Sequence, residues 1–204
     1  GPDPVFGGVL LGNQNLDVET SRGFDVGFRQ SLFADRLALD FSWFEQDIKN
    51  LIEYQNVIFG VTSSYVNIAS VSIREGYEAA ADYSVTEWLS LQASYTHLIS
   101  RNDADNSDMP RTPREQASLG INLTPINDLF IGVYVTYAGA QFNQSRSRQR
   151  LAPFSKTDVS VQYELTDTVQ LFARLDNVTD KQYQYIRNAG TADRSAYAGV
   201  RVSF

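Results

Sequence analysis

Three arginines, Arg146, Arg148 and Arg150, stand at alternate positions between Gln141 and Leu151. On an extended backbone, side chains two residues apart point the same way, so all three would meet one partner. A guanidinium pairs bidentately with carboxylates and phosphates, which makes the stretch a candidate site for an anionic ligand or for the phosphates of a membrane surface. A solvated loop is the plainer alternative. Asp103, Asp105 and Asp108 are spaced like the start of a calcium loop, but Asp108 stands where glycine is required and Arg114 where the closing glutamate would be. No metal site is expected. Catalysis requires a positioned base or nucleophile. His97, the only histidine, alternates in phase with Leu89, Leu91, Ala93 and Tyr95, on an apolar face where an interfacial role fits better than a catalytic one. No triad signature is present, so no catalytic residue and no cofactor are assigned. The chain has no cysteine, which removes disulfides and thiolate metal sites, and its net charge of −7 speaks against a nucleic-acid partner.

These residues hang on a regular framework. The 204 residues include 12 Phe and 11 Tyr against a single Met, a bias that favours strands and boundaries between apolar and wet surroundings. Period-two alternation marks about nine strands. The first runs from Thr20 to Phe33, with Phe24, Val26 and Phe28 opposite Asp25, Gly27 and Arg29. The second starts at Arg36 and puts Leu37, Leu39, Phe41 and Trp43 on one face. The third spans Val71 to Val85 and the fourth Trp88 to about Ser100. Alternation continues over Ala117 to Leu123, Leu129 to Tyr137, Val159 to Leu165 and Val169 to Leu175. In the last strand Ala196, Ala198, Val200, Val202 and Phe204 share a face, and Tyr197, Gly199, Arg201 and Ser203 the other. Asp25, Arg29, Asp40, Glu78, Asp82, Asp158, Glu164, Arg174 and Arg201 all fall on the polar faces.

Every second connection is short. The intervening ones are long: Lys49 to Ser70, Arg101 to Thr112, Gln141 to Ala152 and Lys181 to Arg194. Outer-membrane barrels have this asymmetry, short turns on the periplasmic side and long loops outside, whereas Greek-key sandwiches mix their loop lengths. The expected fold is therefore all-β, an antiparallel transmembrane β-barrel, with a soluble β-sandwich binding module and a passive porin as alternatives. Trp43, Trp88, Tyr137, Tyr183 and Tyr185 would form the aromatic girdles. Nine alternating strands leave the first and last running in the same direction, so an all-antiparallel barrel needs partner strands that this sequence does not supply. Between Lys49 and Ser70, Leu51 to Tyr54 and Tyr65 to Ile68 either extend the flanking strands or form a hairpin of their own. The opening Gly-Pro-Asp-Pro-Val-Phe-Gly-Gly has neither the basic nor the apolar region of a signal peptide.

The stretch Leu175-Asp176-Asn177-Val178-Thr179-Asp180-Lys181-Gln182-Tyr183 resembles the penultimate-strand motif of TonB-dependent outer-membrane receptors. Gly12-Asn13-Gln14-Asn15-Leu16, then Glu19-Thr20-Ser21 and Gly23 to Phe28, is similar to that family's entry into a mid-barrel strand, with Gln14 in place of the usual proline. Asp47 to Ile52, Tyr65-Val66-Asn67 and Gly76-Tyr77-Glu78 are similar to its next hairpin, and Arg111-Thr112-Pro113-Arg114 to a later strand entry. The resemblance implies that residues 20–204 are the C-terminal part of a 22-stranded, plugged barrel, about nine of its strands, with residues 1–19 a loop leading in and the plug absent. It implies a Gram-negative outer-membrane location and active import of a scarce nutrient, a ferric siderophore or other metal chelate, or cobalamin, energised through the TonB complex. Further implied partners are outer-membrane lipid, lipopolysaccharide and the barrel assembly machinery, which would read the terminal strand at Val200, Val202 and Phe204.

Overall fold

In the computed structural model, which describes residues 9–58, 62–68, 70–143 and 149–204, the ordered elements are all strands. They are β1 (Val9–Leu11), β2 (Thr20–Leu32), β3 (Leu37–Lys49), β4 (Ile52–Ile58), β5 (Thr62–Asn67), β6 (Ser72–Ser84) and β7 (Leu89–Asn102). There follow β8 (Glu115–Ile126), β9 (Leu129–Ala138), β10 (Gln141–Phe142), β11 (Arg150–Leu151), β12 (Phe154–Thr166), β13 (Val169–Asp176) and β14 (Ser195–Val202). Nine of them, β2, β3, β6, β7, β8, β9, β12, β13 and β14, hydrogen-bond in that order into one sheet. Every pair is antiparallel. These are the strands that the alternation predicts. β12 starts earlier than its pattern suggests, at Phe154, because Phe154 to Asp158 pairs with Ala138 to Tyr134 of β9.

Cross-strand partners share a face, so the register decides what each face carries. Val26, Trp43, Tyr77 and His97 form one cross-strand row, and Leu37, Tyr83, Leu91, Ile121, Val133, Val159, Leu175 and Ala196 another. The opposite face carries Arg29 beside Asp40, Ser94 beside Ser118, and Gln170 between Glu164 and Arg201. A single residue of slip at any ladder would invert everything beyond it. Among the described residues the apolar face packs on no second sheet: Phe24, Phe28 and Val200 remain 64%, 61% and 60% exposed. A sandwich would bury these side chains; a barrel turns them to lipid.

The short turns are built by local polar groups. Thr166 Oγ1 accepts the Thr168 and Val169 amides, and Thr86 Oγ1 accepts the Trp88 amide, as hydroxyl turns do. At the β2–β3 turn Phe33, Ala34 and Asp35 all take left-handed backbone angles. Arg36 then staples this turn to the next, its guanidinium donating to the carbonyls of Ser84 and Val85.

At the other end the long connections fold on themselves. β4 and β5 form their own hairpin, and β1 adds to β5 in parallel, so the ambiguous 50–70 segment does not lengthen the main strands. The break comes at Asn50, which takes a left-handed φ of 57° straight after β3. The few buried apolar side chains, Ile48, Met109, Ala138, Leu151 and Phe154, all lie at this end.

Three aromatic residues of the polar face stand directly opposite a glycine on a neighbouring strand: Phe44 and Gly76, Tyr134 and Gly120, Phe172 and Gly199. A Cβ on Gly76 would lie 2.1 Å from the His97 carbonyl oxygen and 3.1 Å from Phe44 Cζ, and one on Gly199 would lie 2.6 Å from Phe172 Cζ. Each ring reaches within 3.4 Å of where that Cβ would stand and covers the ladder at the gap. Gly76→Ala should therefore destabilise the folded protein by about 1–3 kcal/mol, read as a lower urea midpoint in lipid vesicles. An unchanged midpoint would mean that the β6–β7 ladder opens without cost.

Candidate functional site

The polar face is a hydrogen-bonded wall. Arg29 Nε donates to Asp40 at 2.6 Å, Lys156 Nζ to Asp158 at 2.8 Å and Arg174 Nε to Asp176 at 3.0 Å. Ser94 and Ser118 hydroxyls are 2.7 Å apart, and the Tyr134 hydroxyl donates to Asn122 Oδ1 at 2.9 Å. The Arg174 guanidinium lies 4.8 Å from the Tyr197 ring centre. Two shallow depressions of about 450 and 530 Å³ share Glu78, Ser94 and Thr96. Small hydroxyl side chains keep the wall low there, between the charges of β2 and β3 and those of β12. All nine charged residues assigned to the polar face by alternation are in register on it. Such a wall suits contact with water and polar solutes.

Above the wall, two buried or bridging asparagines organise the long loops. Asn177 is 2% exposed and takes a left-handed φ of 52°, a conformation asparagine tolerates better than most residues. Its backbone amide donates to Asp158 Oδ1 at 2.8 Å, and the Val178 amide to the Thr157 carbonyl at 2.8 Å. Its side chain accepts the Lys181 amide at 2.9 Å and donates to the carbonyls of Lys181 and Ala192 at 3.1 and 3.4 Å. The Asp180 carboxylate accepts the Arg194 amide at 2.9 Å, and Gln182 donates to Asp193 at 2.6 Å. The Asn177–Tyr183 motif is thus a folding device that ties the start of the 177–194 loop to β12 and closes the loop's far end onto its start.

Asn67 does the same for the first long loop. Its side chain accepts the Asp17 amide at 2.7 Å and donates to the carbonyls of Asp17 and Asn50 at 3.0 and 2.7 Å. Three stretches far apart in sequence, around residues 12–19, 47–52 and 65–67, meet at this one amide.

The loops also interlock. Gln141 Nε2 donates to the Tyr185 carbonyl at 3.2 Å, Arg187 N to Asn143 Oδ1 at 2.9 Å, and Arg111 N to the Phe142 carbonyl at 2.8 Å. Ser70 Oγ donates to Asn102 Oδ1 at 2.7 Å. Tyr183 and Tyr185 close over Phe154, with ring centres 4.5 and 5.2 Å from it.

The expected site residues are distributed unevenly on this framework. Arg150 pairs with Phe142 in the β10–β11 hairpin, its guanidinium carbon 4.9 Å from the ring centre. Arg146 and Arg148 lie outside the described residues. Asp108 is paired with Arg114 at 2.6 Å, and Asp105 accepts the Ser107 amide and hydroxyl. Among the described residues no group of histidine and carboxylate ligands is arranged to hold a metal. His97 faces outward, stacked on Tyr77 at 5.2 Å. Trp43 and Tyr137 also face outward, but Tyr183 and Tyr185 do not belong to a girdle. Asn177 turns the chain off the sheet before they are reached, and they pack on the inward-register residue Phe154 instead. Val200 and Val202 end the outward face of β14, and Phe204 follows, fully exposed.

Comparison with known proteins fits this arrangement. Residues 2–178 match the family described as TonB dependent receptor-like, beta-barrel. The chain is 26% identical over 179 residues to the vitamin B12 transporter BtuB of Vibrio vulnificus (strain YJ016), covering 88% of this chain and 28% of that protein. It is 23% identical over 206 residues to the ferripyoverdine receptor of Pseudomonas aeruginosa, covering 93% of this chain and 25% of that protein. Among solved structures, the copper transporter OprC superposes with a TM-score of 0.78 at 20% identity, over 94% of this chain and 32% of that one. The chain therefore spans about a quarter of the length of the curated relatives it matches.

Asn177→Ala removes three side-chain hydrogen bonds from a buried position and leaves the Lys181 amide without its partner. It should cost about 2–4 kcal/mol and make the 177–194 loop the first site cut in limited proteolysis. Asn177→Asp, which keeps the acceptor and loses the donor, should fall between the two.

Proposed function

Since the chain belongs to the TonB-dependent receptor β-barrel family and forms barrel wall in the Gram-negative outer membrane, we propose that it serves an active importer of a scarce nutrient, a ferric siderophore or cobalamin. Residues 20–204 would be the C-terminal strands of the closed barrel, with 1–19 leading into them. The proton gradient of the inner membrane would act through TonB on parts of the receptor outside this chain. The observation that carries the reading is the register of nine strands, apolar on one face and polar on the other and shifted only near the short turns at Leu123–Ile126 and Glu164–Thr166, crowned by long loops that lock to one another. A wall of that kind lines a polar passage in lipid, and interlocked loops form a mouth that holds a large solute. The polar face holds paired charges and hydroxyl groups, which suit the passage of a polar solute. Lipid and lipopolysaccharide would meet the outward face, and the net charge of −7 makes a nucleic-acid partner unsuitable.

Uptake of labelled ferric siderophores and cobalamin by cells making the full-length receptor checks this reading. One of these solutes should accumulate, and accumulation should stop when TonB is deleted or the proton gradient is collapsed. Uptake indifferent to both treatments would instead identify a passive channel.

β14 pairs with β13 on one side only among the described residues, and its outward residues end at Val200, Val202 and then Phe204. We assign this edge to recognition by the barrel assembly machinery. Deleting Phe204 should reduce the folded, heat-modifiable fraction of receptor in outer membranes severalfold without changing synthesis; equal folded fractions would discard the assignment.

A further inference from the structure

Near the loop end of the polar wall, the inward residues fall into three cross-strand rows. Gln46, Arg74 and Ser100 make one row, Phe44, Gly76 and Leu98 the next, and Glu78, Thr96 and Gln116 the third. The middle row is apolar. Gly76 contributes bare backbone, with the Phe44 ring against it on one side and Leu98 beside it on the other, so a low apolar floor runs between two polar rims. Arg74 and Glu78 are four residues apart on β6, which sets the rims about 13 Å from each other. A cavity of about 450 Å³ opens over this floor.

The rims differ from the wall around them. Elsewhere on the polar face side chains bind one another, as Arg29 binds Asp40, Lys156 binds Asp158, Arg174 binds Asp176 and Tyr134 binds Asn122. Among the described residues the side chains of Gln46, Arg74, Glu78, Thr96 and Gln116 make no hydrogen bond and no ion pair. Ser100, beside Arg74, is 3% exposed, and its hydroxyl has no partner either. A buried hydroxyl nearly always has one.

The chemistry of these open groups defines what they fit. Arg74 and Glu78 carry opposite charges, so the rims have no net charge and do not select an ion. Two amides and the Thr96 and Ser100 hydroxyls offer donors and acceptors together. The complement is an uncharged solute with hydroxyl groups around its edge and an apolar face to lie on the Phe44 ring. A pyranose has both, C–H groups on its faces and hydroxyls at its rim. An alkyl chain lacks the edge, and a small ion lacks the face.

We propose that the trough over Phe44, Gly76 and Leu98 binds a pyranose sugar ring, laid on the floor with its hydroxyls toward the two rims. This deepens the import reading by adding a saccharide ring to what the passage recognises, and it rests on that reading for the trough's place on the lumen side of the barrel.

The test is saturation-transfer NMR and equilibrium titration of maltose, cellobiose and lactose on purified full-length receptor, in detergent without a sugar headgroup, with sorbitol as the open-chain control. Wild type should bind at least one of the disaccharides with a Kd of about 1 mM or below, and sorbitol about tenfold more weakly, since it has no ring face to stack. Phe44→Leu keeps the floor apolar and removes its flat face, whereas Thr96→Val and Gln116→Met keep side-chain size and remove donors and acceptors. Each should weaken binding about fivefold. Ser90→Ala, on the inward face of β7 outside the trough, should leave it unchanged. If Phe44→Leu fails to fold, the two rim substitutions decide, because they leave the covered ladder at Gly76 intact. No saturable binding by folded wild type overturns the trough. So does sorbitol binding equal to that of the sugars, or binding unmoved by the trough substitutions in variants that stay heat-modifiable. Binding is read without TonB, so loss of TonB-dependent uptake would overturn the import reading and leave the trough standing, and failed binding with uptake intact would remove the trough alone.

Discussion

A backbone that crosses lipid must satisfy every amide and carbonyl within the protein, and this constraint organises the whole chain. The answer is one continuous antiparallel ladder from β2 to β14, with no helix and no second layer packed on it among the described residues. A ladder of that length has two faces and nothing packed between them. Its apolar side chains therefore stay exposed in the protein itself, and three of its glycines are covered by rings from the neighbouring strand, as Phe44 covers Gly76. Burial moves to the loop end, where Ile48, Met109, Ala138, Leu151 and Phe154 are enclosed.

The loops need a further source of order, since the main ladder does not reach them and only the short ladders of β1, β4 and β5 and of β10 and β11 run through them. Side-chain amides supply it. Asn177 and Asn67 each bind backbone groups from two places in the chain, and Asn50 and Asn177 each use the left-handed conformation to turn the chain off the end of a strand. The aromatic cluster of Phe154, Tyr183 and Tyr185 then closes against this frame. Function follows from the combination of a rigid wall and a mouth whose loops are cross-tied, so that groups from several loops present a fixed surface to a solute.

How far these features can be read from sequence depends on the range of the interaction that makes them. Alternation at Phe24-Asp25-Val26-Gly27-Phe28 reports a face directly, because side chains on a strand alternate whatever lies around them. Strand order followed from short turns such as Thr166-Asp167-Thr168, which leave the chain no choice but to pair with itself. Tyr183 and Tyr185 were misplaced by the same logic: they look like girdle residues, and only the turn at Asn177 takes them elsewhere. The stapling role of Arg36 carries no local signal.

The sequence by itself determined the two faces, the number and order of the main strands, the asymmetry of the connections and the family. All of these rest on period-two geometry, local turn chemistry or short ordered motifs. Only the tertiary structure decided that β4 and β5 form a separate hairpin joined by β1 and that the Asn177 motif is a clasp. Those outcomes depend on hydrogen bonds between residues up to 53 positions apart in the chain, and no periodicity records which distant amide a loop carbonyl will meet.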